Sequence, residues 1–137
     1  MEYWLLKSEP GTYSWSDLTR DRRTRWDGVR NFQARNNIRA MRSGDLALFY
    51  HSGDERAVAG VARVITAPYA DPTAKGEDWS VVDIEPEFAL GQPVGLDRIK
   101  TESSLAQMVL VKQSRLSVQP VRKDEFDAIV KIGGKAR

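Results

Sequence analysis

Two apolar runs joined by a short polar turn constrain this chain most: Leu46-Ala47-Leu48-Phe49-Tyr50-His51, then Ser52-Gly53-Asp54-Glu55, then Val58 to Ile65. Runs of this length, rich in β-branched and aromatic residues and bounded by Gly, Ser and Asp, read as the strands of a hairpin. The first reads as a buried strand. Gly60 inside the second marks a bulge or a close backbone approach. A chain with that hairpin must build a sheet, and its helices serve as cover.

The remaining segments supply further strands and short helices. Tyr3 to Lys7 reads as a first strand, and Ser14-Trp15-Ser16-Asp17 has the spacing of a capping box, which starts a short helix running to about Thr19. A second helix begins near Asn31, with Ala34, Ile38 and Met41 as its apolar stripe. Arg35, Arg39 and Arg42 repeat that spacing on another face, as a ladder for phosphates or as a solvated surface. Pro68 to Asp78 reads as loop, and Trp79 to Phe88 as a strand with Val82, Ile84 and Phe88 on one side. Leu96 to Glu102 predicts a short helix, and Ser104-Leu105-Ala106-Gln107 a further capping box. Val109 to Lys112 and Leu116 to Val121 predict short strands, and Lys123 to Lys131 a closing amphipathic helix facing inward with Phe126, Ile129 and Val130. This order, without regular strand-helix alternation, predicts an α+β fold: a small mixed sheet or partly open barrel flanked by short helices. At 137 residues, one domain spanning 1–137 is expected.

Several chemistries are excluded by composition. No cysteine is present, which removes disulfides, thiolate zinc and cysteine nucleophiles. A single histidine cannot form a zinc site, and the acids between Asp71 and Asp97 lack calcium-loop spacing. There is no glycine-rich phosphate loop and no serine elbow. Neither a metal nor a cofactor is expected. The apolar run in Met1-Glu2-Tyr3-Trp4-Leu5-Leu6-Lys7 is too short for a signal peptide or a membrane span. An intracellular monomer without membrane contact is expected, cytoplasmic or, in a bacterium, associated with the nucleoid.

A net charge of +2 hides a strong polarity. From Arg20 to Arg42 eight arginines face two acids, a local charge of +6, whereas from Asp71 to Asp97 seven acids face one lysine, a local charge of −6. The pattern predicts a basic face for a polyanion with an acidic flank turned elsewhere, or two solvated surfaces. Within the basic segment, Trp26-Asp27-Gly28-Val29-Arg30-Asn31-Phe32-Gln33-Ala34-Arg35 combines a flat ring, arginines that attract phosphate and amides that read ring edges. That combination suits a nucleotide. Trp26 precedes a glycine turn among polar residues, so it reads as a stacking wall or as core. Trp4, Trp15 and Trp79 read as scaffold. Arg30 and Asn31 lead into the second helix, where an anion is favoured, and Asn31 also fits a helix cap. His51 reads as a hydrogen-bonded structural group or as a donor to a base edge, and strand alternation sets it on the face opposite Tyr50.

Tyr3-Trp4-Leu5-Leu6-Lys7-Ser8-Glu9-Pro10, Tyr13-Ser14, Trp26-Asp27-Gly28-Val29-Arg30-Asn31, Phe49-Tyr50-His51-Ser52, Tyr69-Ala70-Asp71-Pro72-Thr73 and Gln113-Ser114-Arg115-Leu116-Ser117-Val118-Gln119-Pro120 together resemble the EVE domain family. The resemblance spans almost the whole chain. It implies a PUA-like fold, similar to YTH domains, which cage N6-methyladenosine, and more distantly to SRA domains, which flip 5-methylcytosine out of DNA. The implied function is a non-catalytic module that captures a modified base of DNA or RNA. The resemblance places Lys7 and Ser8 at the pocket, and Tyr13, Trp26, Asn31, Tyr50, His51 and Ser117 complete the expected base-binding set. Arg30, Arg35, Arg39, Arg42 and Arg115 form the expected phosphate-binding set. The alternative is a small nucleotide- or RNA-directed hydrolase of the related ASCH type, with Lys7, Glu9 and His51 as its acid, base and electrostatic groups.

Overall fold

The computed structural model describes residues 1–75 and 78–136. Its centre is a curled, open sheet of seven strands among those residues: β1 (Tyr3–Ser8), β2 (Thr24–Trp26), β3 (Leu46–His51), β4 (Ala57–Val64), β5 (Tyr69–Ala70), β6 (Ser80–Gly95) and β7 (Val118–Val121). The order is β2-β6-β4-β3-β1-β7, with β5 also paired to β6. All pairs are antiparallel except β1 with β3, so the sheet is mixed as expected. Five short helices among the described residues cover it: α1 (Trp15–Asp21), α2 (Phe32–Ala40), α3 (Leu96–Thr101), α4 (Val109–Lys112) and α5 (Lys123–Gly133), with a 3-10 turn at Ser103–Leu105. No helix among the described residues is long and apolar enough to cross a membrane.

Strand alternation divides the core in two. Trp4 and Leu6 of β1 and Ala47 and Phe49 of β3 join Leu18 of α1 and Ala34 and Ile38 of α2 on one face. Leu5, Leu48 and Tyr50 join Ile99, Leu110, Phe126 and Ile129 on the other. Asp45, buried before β3, accepts from Trp4 Nε1 at 3.0 Å, from the Glu2 amide at 3.1 Å and from the Arg42 amide at 3.0 Å, which fastens β1 to the end of α2.

Gly60 is both a bulge and a close approach. The β3 and β4 registers shift beside it, and a Cβ there would lie 2.5 Å from the Trp15 ring. Only a hydrogen leaves room for that indole.

Three expectations need correction. Val109–Lys112 is helix α4, because β7 already fills the edge beside β1 and a helical turn carries Met108 and Leu110 into the core; packing overrides local β propensity. β6 does not stop at Phe88 but runs to Gly95; the register jump between Gly60↔Ala89 and Val58↔Val94 leaves Gly91 and Pro93 outside the ladder with β4, where proline is tolerated. Tyr69–Ala70, expected as loop, forms β5 on β6, and the three-residue β2 is too short for its periodicity to be read.

Candidate functional site

A cleft of about 350 Å³ opens between the end of β1, the turn after it and β2, lined by Ser8, Thr12, Tyr13, Thr24, Arg25, Trp26 and Asp27. The turn forms because Pro10 stops the strand and the Thr12 and Tyr13 amides both fold back onto the Glu9 carbonyl, at 2.9 and 2.8 Å. Ser14 then caps α1: its hydroxyl accepts from the Asp17 amide at 3.1 Å while Asp17 accepts from the Ser14 amide at 2.9 Å. The Ser8 hydroxyl donates to the Tyr13 carbonyl, which ties strand end to turn. The Tyr13 hydroxyl donates to Asp21 at 3.0 Å, and burial first of all pushes its pKa up. Trp26 is half-buried and meets Phe49 edge to face, with ring centroids 5.6 Å apart at 78°. That contact fixes its plane while part of the indole stays open.

Of the expected base-binding set, Ser8, Tyr13 and Trp26 converge on this cleft. Lys7 and Tyr50 do not, because alternation turns them to the opposite face of the sheet, where they line a separate depression with Arg56 and Lys100. Lys7 Nζ lies 5.8 Å from the Tyr50 ring centroid and donates to the Ser114 carbonyl, and burial pushes its pKa down. His51 shares the cleft's face of the sheet, but its Nε2 accepts from the Trp15 amide at 2.9 Å and its Nδ1 lies 2.9 Å from Glu55 Oε2. Both ring nitrogens are therefore turned to the protein. Asn31 is the N-cap of α2, its Oδ1 accepting from the Ala34 amide at 2.9 Å. Ser117 contacts β1 through its carbonyl, which accepts from the Lys7 amide at 2.9 Å. Thr12, Thr24, Arg25 and Asp27 line the cleft unforeseen; their signal was only adjacency to Tyr13 and Trp26.

The arginine-rich segment is spent differently from the expectation. Arg30 pairs with the fully buried Asp71 carboxylate at 3.0 Å, Arg39 with Asp78 at 2.8 Å and Arg23 with Asp83 at 2.7 Å. Arg35 donates to the Asp78 carbonyl at 3.3 Å and to Asn36. The acidic segment thus folds onto the basic one instead of turning elsewhere, since a buried carboxylate requires a partner. Burial alone would raise the Asp71 carboxyl, but hydrogen bonds from Thr73, Arg30 and the Gly28 amide outweigh it and hold its pKa at about 2. Arg20 and Arg25 pair locally with Asp17, Asp21 and Asp27. Arg42 and Arg115 are exposed, with no side-chain partner among the described residues. No ladder of free arginines stands on α2.

Comparison with known proteins agrees with this fold. Residues 2–132 match the EVE domain family. The chain is 34% identical to human thymocyte nuclear protein 1 over 97% of its own length and 74% of that protein. It superposes on a crystal structure of an Agrobacterium tumefaciens protein with a TM-score of 0.94 and 42% identity, covering 98% of this chain and 94% of that one. A crystal structure of human THYN1 in complex with 5-methylcytosine-containing DNA matches over the whole of both chains, with a TM-score of 0.88 and 33% identity. Motif order, sheet topology and overall similarity converge: this chain belongs to the EVE domain family.

Proposed function

We propose that this protein is a non-catalytic nucleic-acid-binding module that takes one modified base, with 5-methylcytosine in DNA as the leading candidate, into the cleft beside Trp26. The observation that carries the reading is the cleft itself: a half-buried indole, four hydroxyl-bearing neighbours (Ser8, Thr12, Tyr13 and Thr24) and the paired Arg25 and Asp27, in a chain that matches THYN1 with methylated DNA over its whole length. An indole held edge-on by Phe49 offers a face on which a base stacks, worth about 1–3 kcal/mol. Asp27 supplies an acceptor for the exocyclic amino group of a cytosine. One buried methyl group contributes only about 0.8 kcal/mol, roughly a four-fold preference. Larger discrimination needs an edge hydrogen bond that the wrong base leaves unmade, about 1–3 kcal/mol.

The hydrolase reading needs Lys7, Glu9 and His51 on one substrate. Lys7 lies across the sheet from His51, whose ring nitrogens face the Trp15 amide and Glu55, and the trio does not converge. The test is a titration of matched strands carrying cytosine, 5-methylcytosine, 5-hydroxymethylcytosine, adenine or N6-methyladenine. Preference for 5-methylcytosine supports the reading, and equal affinity across the panel reduces the protein to a general nucleic-acid binder.

A further inference from the structure

Phe32 is exposed to a degree that its own fold does not require. It opens α2, just after the cap Asn31, and is 57% exposed, although it is large and apolar. Its ring lies flat against the Trp79 indole, centroids 5.1 Å apart at 17°. Covering Trp79, which is only 8% exposed, accounts for one face of the ring. The surroundings are cationic: the Arg35 guanidinium lies 4.9 Å from the Phe32 centroid and 5.8 Å from that of Trp79, and Arg30 lies 5.6 Å from Trp79.

An open aromatic surface rimmed by guanidinium is the combination that takes a stacked base together with its phosphate. The chain connects it directly to the cleft, since Trp26 and Asp27 lead through the Gly28 turn and Arg30 into Phe32. Asp71 holds both sides of that connection, accepting from the Gly28 amide at 3.3 Å and from Arg30 at 3.0 Å, so the platform and the cleft wall are fixed to one another. Resting on the reading that the cleft takes a base, the geometry points to Phe32 as a stacking platform for a neighbouring base of the same nucleic acid, with Arg35 meeting the phosphate beside it.

The experiment uses an oligonucleotide carrying 5-methylcytosine with the fluorescent base 2-aminopurine beside it, and separately the mononucleotide 5-methyl-2′-deoxycytidine 5′-monophosphate. The parent protein should bind both and quench the 2-aminopurine. Phe32→Ala should abolish the quench and weaken the oligonucleotide roughly 5- to 150-fold, while the mononucleotide binds as before. Phe32→Tyr should restore both oligonucleotide signals. Unchanged quench and affinity in Phe32→Ala would overturn the platform while leaving the cleft reading intact. An equal loss for the mononucleotide would also overturn it, because Phe32 would then act by supporting the cleft. A change in sedimentation with unaltered DNA binding would assign the ring to a contact between protein copies, again against the proposal. Failure of the parent protein to bind either probe would remove the proposed function itself, and the platform with it.

Discussion

Trp26 and Trp79 both stand among arginines, yet the fold gives them opposite fates. Trp26 rests edge-on against Phe49 beside an open cleft, and its neighbour Arg25 is tied to its own Asp27 at 3.2 Å. Trp79 is buried, roofed by Phe32 and approached by Arg30 and Arg35, while Arg30 and Arg39 are drawn onto Asp71 and Asp78. Residue type does not decide which ring lines an open cleft. What separates them is cover: Phe32 roofs Trp79 whereas Trp26 lines the cleft, and the loop that begins at Asp71 is anchored by an arginine a polyanion would otherwise use.

Breaking the loop's anchor should give the largest effect. Asp71→Ala removes the buried acceptor of four hydrogen bonds from Gly28, Arg30 and Thr73, and a loss of about 3 kcal/mol in chemical denaturation is expected. A variant as stable as the parent would mean that the arginines are not committed to the loop. Acid should do the same reversibly. The folded pKa of Asp71 is depressed to about 2, so its contribution is complete above the unfolded value near 4 and is lost as pH falls towards 2. The expected loss is about 2 kcal/mol, and Asp71→Asn should flatten that part of the pH profile.

Trp26→Ala should weaken binding of a methylated strand by about 2 kcal/mol, within the stacking range, and Trp26→Phe by less. Trp79→Phe should leave affinity nearly unchanged and reduce stability instead. Equal losses of affinity at both positions would erase the contrast between the two rings.

The smallest effect concerns salt. Among the eight arginines from Arg20 to Arg42, those without a carboxylate partner among the described residues are Arg22, Arg35 and Arg42. With one or two phosphates neutralised on a single strand, log affinity should fall with log salt at a slope of roughly −0.7 to −1.4. A slope steeper than about −2 would show that ion pairs with Asp71 or Asp78 open when nucleic acid arrives.

Local chemistry was legible wherever it acts over a few residues. The Ser14 cap, the Asn31 cap, the hairpin and the Gly60 approach follow from spacing and turn composition alone. Alternation put Tyr50 and His51 on opposite faces from the sequence alone, but the same rule separates Lys7 from Ser8, which the resemblance had set at one pocket. What could not be read was long-range charge pairing. Arg30 and Asp71 are 41 positions apart, and nothing in either segment announces that they meet. The same holds for His51, whose task of holding the Trp15 amide depends on a turn 36 positions away. Thr24 and Asp27 join the cleft only because β2 pairs with β6, a contact between segments that share no local pattern.

The place of β1 between β3 and β7 has a consequence in time. Its register sets Tyr3 against Leu46 on one side and against Val121 on the other, so the first strand made is flanked by one of the last. At a synthesis rate of roughly 5–20 residues per second, the edge of β1 that faces β7 stays unpaired for roughly 6–24 s after β1 is made. Throughout that interval Trp4, Leu5 and Leu6 lie beside a bare row of backbone donors and acceptors, the arrangement on which another chain can add a strand. The nascent protein is therefore most vulnerable to misassociation along β1, and substitutions that weaken β7 should lower the yield of folded protein before they measurably lower its equilibrium stability.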